Sequence, residues 1–208
     1  MAVPVTADRR VALQGLLRDA RLWRGDGAAV LRAAPTGCAA LDALLPGGGW
    51  PLGALSEIVY PQPGVGELRL AMPLLARLTQ AQRNIALIAP PHEPYAPALR
   101  QHGLALKHVV VITAAHAVDA LWTAEELLRA RAGAVLLWQD CIDAGAQRRL
   151  QLAAESGDGC ALVYRRRQRG DEASVAALRL GIARVGTQAE IEVLKCRGAR
   201  PQQRCTLQ

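Results

Sequence analysis

Five short apolar runs, separated by stretches of helical periodicity, constrain this chain more than any other feature. The runs are 58–60, 85–88, 109–112, 134–138 and 160–164. Each is nearly continuous in apolar character rather than alternating, so each needs cover on both faces. Between them, residues 69–82, 95–102, 117–131 and 144–155 read as helices, the second stopped by Gly103. Strand and helix in alternation imply an α/β fold with a mostly parallel central sheet.

The two ends differ in character. Residues 175–184 and 189–195 alternate apolar with polar around "VGTQ" and predict an antiparallel extension of the sheet. Residues 7–24 place Val11, Leu13, Leu16, Leu17 and Trp23 on one side of a helix whose other side carries arginines. That stripe requires cover, either from the core or from a partner. The expected organisation is an N-terminal amphipathic helix and linker over 1–35, a core over 36–196, and a basic, flexible tail over 197–208. The chain of 208 residues is half hydrophobic, enough for one sizeable core. Trp138 ends a central strand and is expected in the core. Trp50, beside Gly47–Gly49, is expected to be partly exposed.

No apolar run approaches the roughly 20 residues of a membrane span, and "MAVPVTADRR" has no signal-peptide apolar region. The expectation is a cytoplasmic protein with no membrane association. The five cysteines show no CxxC spacing and the four histidines no ligand spacing, so neither a metal site nor a disulfide framework is expected. No cofactor is expected. The net charge is +7, carried almost wholly by arginine, with Lys107 and Lys195 the only lysines. Arginine suits phosphate and carboxylate contacts. A bias toward arginine codons would give the same skew. The charge favours nucleic acid or an acidic protein partner without choosing between them.

One loop carries the layout of a site. The run at 58–60 is followed by "PQPGVGEL" and then by a helical segment, the strand–glycine loop–helix order of a phosphate-binding loop. A working loop of that kind needs a lysine for the β/γ-phosphates and a Ser/Thr hydroxyl for magnesium. Here Gly64 and Gly66 keep the frame, but Glu67 and Leu68 stand where the lysine and hydroxyl belong. Pro61 and Pro63 remove two donors. Glu67 would repel phosphate, and as a first-turn carboxylate it suits a helix N-terminus. The expectation is a degenerate nucleotide-binding loop with the carboxylate in the phosphate's place.

The segment "TGCAALDALLPGGGWPLGALSEIVYP" resembles the entry to the core of RecA-type recombinases. With "LLARLTQAQRNIALIAPPHEPY", "HGLALKHVVVI" and "AVLLWQD", the chain resembles the ImuA family, RecA/SulA-like proteins of mutagenic translesion DNA synthesis. From 56 to about 164 it also resembles SulA, the SOS-induced division inhibitor. The resemblance implies a RecA-like P-loop NTPase-type core with a degenerate nucleotide site. The recombinase catalytic glutamate would fall on Pro91, with Glu93 two residues beyond. The magnesium-associated aspartate would fall on Gln139 or Asp140. With lysine, hydroxyl and glutamate missing together, no catalytic residues and no enzyme activity are expected.

The basic segments complete the candidates. "YRRRQRG" places Arg165, Arg166, Arg167 and Arg169 after a core strand, in an expected exposed loop; the tail holds Arg197, Arg200 and Arg204. These could meet DNA phosphates or an acidic partner, or only keep the surface solvated; no aromatic lies among them to stack bases. The resemblance implies a non-catalytic adaptor that binds RecA, ImuB and an error-prone polymerase, with DNA binding and self-association as further expectations. The rivals are a SulA-type inhibitor of FtsZ and a diverged RecA-type ATPase.

Overall fold

The computed structural model describes residues 32–167, 174–198 and 203–207. The expected N-terminal helix, together with Arg169 and Arg200, lies outside the described residues.

The chain enters through a small antiparallel ribbon. β1 (Ala33–Ala34) and β2 (Trp50–Pro51) pair around α1 (Ala39–Asp42). The turn before α1 is fixed by Asp42, whose Oδ1 accepts the Thr36 N–H at 2.8 Å and the Thr36 hydroxyl at 2.7 Å. β3 (Ala54–Tyr60) follows, and all seven of its residues are buried. A 3-10 turn at Arg69–Ala71 leads into α2 (Met72–Gln80). Then come β4 (Ile85–Ile88), α3 (Ala96–Gln101), β5 (Val109–Ile112), α4 (Ala117–Arg129), β6 (Ala134–Trp138), α5 (Ala144–Gly157) and β7 (Cys160–Arg166). β8 (Leu178–Val185), β9 (Gln188–Cys196) and β10 (Gln203–Leu207) close the chain.

Eight strands form one sheet in the order β10-β9-β8-β3-β7-β6-β4-β5. β3 is parallel to both β7 and β8, and β4, β5 and β6 continue the parallel set. The antiparallel part begins only at the β8–β9 hairpin. The expected antiparallel extension therefore starts one strand later than the alternation suggested. β8 instead pairs in parallel with β3, from Ser56↔Leu178 to Val59↔Gly181.

The central strands β3, β4, β6 and β7 are covered on both faces, as their apolar runs require; the expected cover fails at β5, an edge strand of the sheet whose Val110 and Val111 are exposed. On one face Ile58, Leu136, Leu162, Tyr164 and Leu180 pack with Leu74 and Leu75 of α2 and with Leu41 and Trp50 of the entry ribbon. On the other, Leu55, Val135, Leu137 and Val163 pack against Ala124 and Leu128 of α4 and Leu150 and Ala154 of α5. These two helices present small residues and lie close together. A Cβ on Gly157 would fall 1.7 Å from the Leu128 carbonyl oxygen, so only glycine fits there. α5 is started by Asp143, whose Oδ1 accepts the Ala146 N–H at 2.8 Å.

Two expectations are corrected. Trp50 is fully buried rather than partly exposed, because the ribbon folds it under the sheet. The tail is not all loose: residues 203–207 form β10 at the sheet edge, in register with β9 from Gln203↔Val193 to Leu207↔Ala189. "QRCTL" has little strand character of its own and gains its order from the open β9 edge. No helix among the described residues is long and apolar enough to cross a membrane.

Candidate functional site

In parallel sheets the loops beyond the carboxyl ends of the strands are where sites are assembled. Two such regions adjoin here, at the ends of β3 and β6, where Tyr60 lies within electrostatic reach of Asp140.

The loop after β3 turns through Gly64 and Gly66, at φ +87° and +99°, a region open chiefly to glycine. This geometry aims the Gly64 N–H inward, where it donates to both oxygens of Glu67, at 3.1 and 3.2 Å. Glu67 is only 7% exposed. The Glu67 carboxylate thus occupies the hollow at the Gly64 amide. Val65 is buried and Leu68 packs on the core, so neither side chain offers a polar group.

Aromatic rings fill the space behind the loop. Trp138 of β6 stacks on Tyr164 of β7 with centroids 4.6 Å apart and planes at 12°. Burial pushes the Tyr60 phenol up to about 12, and the carboxylates of Asp140 and Glu67 push in the same direction against the opposing charge of Arg166. The Tyr164 phenol is also raised, by complete burial and then by Glu67 and Tyr60.

Asp140, just past β6, is held by Arg166. Its Oδ1 accepts the Arg166 backbone N–H at 2.8 Å and its Oδ2 the Arg166 Nε–H at 2.6 Å. Burial alone would raise the Asp140 carboxyl. The Arg166 hydrogen bonds, with the charges of Arg166 and Arg165, outweigh it and hold the group below its ordinary value. Glu93 stands exposed in the loop after β4.

The arginine run is divided by the strand it belongs to. Arg165 and Arg166 are the last residues of β7 rather than parts of an exposed loop. Arg165 points inward and is 6% exposed. Its Nη1 lies 3.2 Å from Oε1 of the fully buried Glu57, and its Nε–H donates to the Asp140 carbonyl at 3.0 Å. From β8, Arg179 brings its Nε to 3.2 Å from Oε2 of Glu57, an ionic contact rather than an aligned hydrogen bond. Glu57 therefore anchors arginines from the strands on either side of β3. Burial at this depth removes Arg165 from any surface contact. Arg167 is exposed. Arg197 is exposed, with its backbone N–H bonded to the Ala177 carbonyl. Arg204 lies across β9, 3.2 Å from Glu192 and 3.5 Å from Glu190. Among the described residues, Arg165, Arg166, Arg167, Arg197 and Arg204 thus do not form one basic patch.

Glu57, Arg179, Tyr60 and Tyr164 were not singled out from the sequence. One signal was available for the first: a lone glutamate inside the apolar run "ALSEIVY". A buried charge implies a partner, but nothing local names it.

An open groove of about 330 Å³ adjoins the loop, lined by Gly64, Gly66 and Arg69 on one side and by Arg184 and Leu207 on the other. Among the described residues no group of three or more His, Cys, Asp or Glu could hold a metal ion.

Fold and site together define a mixed α/β protein whose glycine loop is closed by its own carboxylate. The family model described as cell division inhibitor SulA matches residues 53–161, a little over half of the chain, and the chain belongs to that family. A solved structure, SulA from Pseudomonas aeruginosa, is 29% identical over 54% of this chain and 98% of its own, with a TM-score of 0.47. No curated protein matches the chain. The matched span runs from the end of the entry ribbon to the second residue of β7. It includes Glu57, Glu67 and Asp140 but stops short of Arg165, Arg166, Arg179 and the last three strands.

Proposed function

We propose that this protein is a non-catalytic, RecA-like adaptor of the ImuA type, which supports damage-induced mutagenic translesion synthesis by binding other proteins. The observation that carries the non-catalytic half is the Glu67 carboxylate on the Gly64 amide. A phosphate entering the loop would meet a negative charge in place of a donor, with no lysine or hydroxyl beside it. Asp140, the nearest acid to a magnesium-associated position, is already committed to Arg166.

The choice of partners rests on the resemblance of 36–61 to the recombinase entry. It is also supported by the amount of ordered chain beyond the SulA-matched span, since β8, β9 and β10 widen the sheet by three strands. RecA, ImuB and an error-prone polymerase are the partners this reading names. Contact with DNA would fall to exposed arginines such as Arg167 and Arg197, and site binding is cytoplasmic in this reading.

A second reading is favoured by the family match itself: a division inhibitor that binds the tubulin-like protein FtsZ. The two readings share a protein-binding role and differ in partner. Pull-downs of the purified chain against RecA, ImuB and FtsZ separate them. Capture of RecA or ImuB without FtsZ is the expected result. Capture of FtsZ alone would overturn the adaptor reading, and capture of none would overturn both.

A further inference from the structure

Two thiols meet where the sheet's last strand passes the entry ribbon. Cys38 sits at the N-terminal end of α1, in a turn held rigidly by hydrogen bonds: its N–H donates to the Thr36 hydroxyl at 3.1 Å, and its carbonyl accepts the Asp42 N–H at 2.9 Å. Its Sγ lies 3.8 Å from the Thr206 carbonyl on β10. Alternation along β10 sends Arg204 to the face of Glu190 and Glu192, and sends Cys205 and Leu207 to the opposite face, against the core that Cys38 also touches. There Cys38, whose Sγ already reaches the Thr206 carbonyl next to Cys205, also acts electrostatically on the Cys205 thiol.

We propose that Cys38 and Cys205 are a reversible disulfide site that fastens β10 to the entry ribbon. The pairing is non-local, linking two segments at opposite ends of the described chain. Among the described residues β10 is an edge strand paired only with β9, so a covalent tie would act where those residues otherwise hold it by one ladder. Leu207 of the same strand lines the groove beside the Gly64–Gly66 loop, so the tie would also fix one wall of that groove.

With a peroxide as oxidant the chemistry balances. The Cys38 sulfur attacks one peroxide oxygen; the S–O bond forms, the O–O bond breaks, and the departing oxygen leaves as water. The Cys205 sulfur then attacks the Cys38 sulfenic acid; the S–S bond forms, the S–O bond breaks, and a second water leaves with the Cys205 proton. The two thiols together lose two electrons and two protons to the peroxide. Cys38 is assigned the first step because burial, and then Cys38 itself, push the Cys205 thiol up to about 11, leaving it little thiolate with which to begin.

The test is peptide mapping of the full chain after mild hydrogen peroxide, with and without later reduction by dithiothreitol, combined with hydrogen exchange over β10. The expected product is a peptide linking Cys38 to Cys205. It should disappear on reduction, be absent from Cys38→Ser and from Cys205→Ser, and persist in Cys141→Ser, which removes an exposed thiol. The β10 amides should exchange at least about tenfold more slowly in the oxidised wild-type chain. Linkage through Cys141, or Cys38 and Cys205 both remaining thiols, would overturn the site. A Cys38–Cys205 link that left β10 exchange unchanged would overturn the fastening. Mapping on the wild-type chain does not depend on either variant folding.

Discussion

Glu57 and Arg165 face each other inside the sheet, Oε1 to Nη1 at 3.2 Å, from positions 108 residues apart in the chain. Arg179 meets the same carboxylate from the other side. The three residues tie β7, β3 and β8 together on the face covered by α4 and α5. They also join the family-matched span to strands outside it. Removing one member of a buried charge group leaves another uncompensated, whereas replacing the whole group with apolar residues does not. Glu57→Ala or Arg165→Ala should each cost about 3–5 kcal/mol in urea unfolding, and the triple change of Glu57, Arg165 and Arg179 to leucine should cost less than either. Equal or larger loss in the triple variant would contradict this account of the cluster.

At Tyr164 the hydroxyl is buried with no hydrogen-bond partner among the described residues, while its ring stacks on Trp138. The ring therefore stabilises and the hydroxyl does not. Tyr164→Phe should leave stability unchanged or raise it by up to about 1 kcal/mol. Tyr164→Ala should lower it by about 3–5 kcal/mol through the cavity it opens. Thermal unfolding of the two variants separates ring from hydroxyl.

Tyr60 supplies an alkaline signature. Its phenol ionises at about 12 in the folded chain, above its ordinary value of 10.0. Because the folded value is raised, the corresponding stability is fully present below pH 10.0 and is lost as pH rises through about 12. Tyr60→Phe should flatten the decline in unfolding free energy across that window. The phenolate absorbance missing from the variant should be centred near pH 12 rather than 10.

Asp140 works in the opposite sense. Arg166 holds its carboxyl below the ordinary 3.8, so its contribution is present above that value and lost as pH falls through the lower folded one. The stability gap between wild type and Asp140→Asn should be constant at neutral pH and close below about pH 4. A gap that persisted unchanged to pH 2 would remove the Arg166 contact from the explanation.

Much of the architecture was legible because it is written locally. Ile85–Ile88, Val109–Ile112 and Ala134–Trp138 are unbroken apolar runs flanked by helical periodicity, and the structure places strands at those residues. The glycine turn after β3 was legible too, since Gly64 and Gly66 stand two positions apart and both take positive φ. The features that escaped depend on which strands become neighbours. Arginines after a strand read as a solvated loop until β7 pairs with β3 and turns Arg165 toward Glu57. "QRCTL" reads as tail until β9 offers it an edge. Trp50 reads as a surface residue beside a glycine bend until the ribbon tucks it under the sheet. In each case the deciding contact is long-range, and composition within a window carries no trace of it.

The loop's own chemistry gives a sharper test than any stability change. Glu67→Lys would replace the repelling charge, but it restores neither the missing hydroxyl at Leu68 nor a free Asp140. It should therefore not create magnesium-dependent nucleotide binding. A variant that bound ATP tightly would mean that Glu67 alone had closed the site.

The central claim is that the Glu67 carboxylate takes the place a phosphate would hold. Calorimetric titration of ATP with magnesium into the wild-type chain tests it most directly. The account predicts no saturable binding up to millimolar nucleotide. Stoichiometric, magnesium-dependent binding at micromolar concentration would contradict it and favour the diverged RecA-type ATPase.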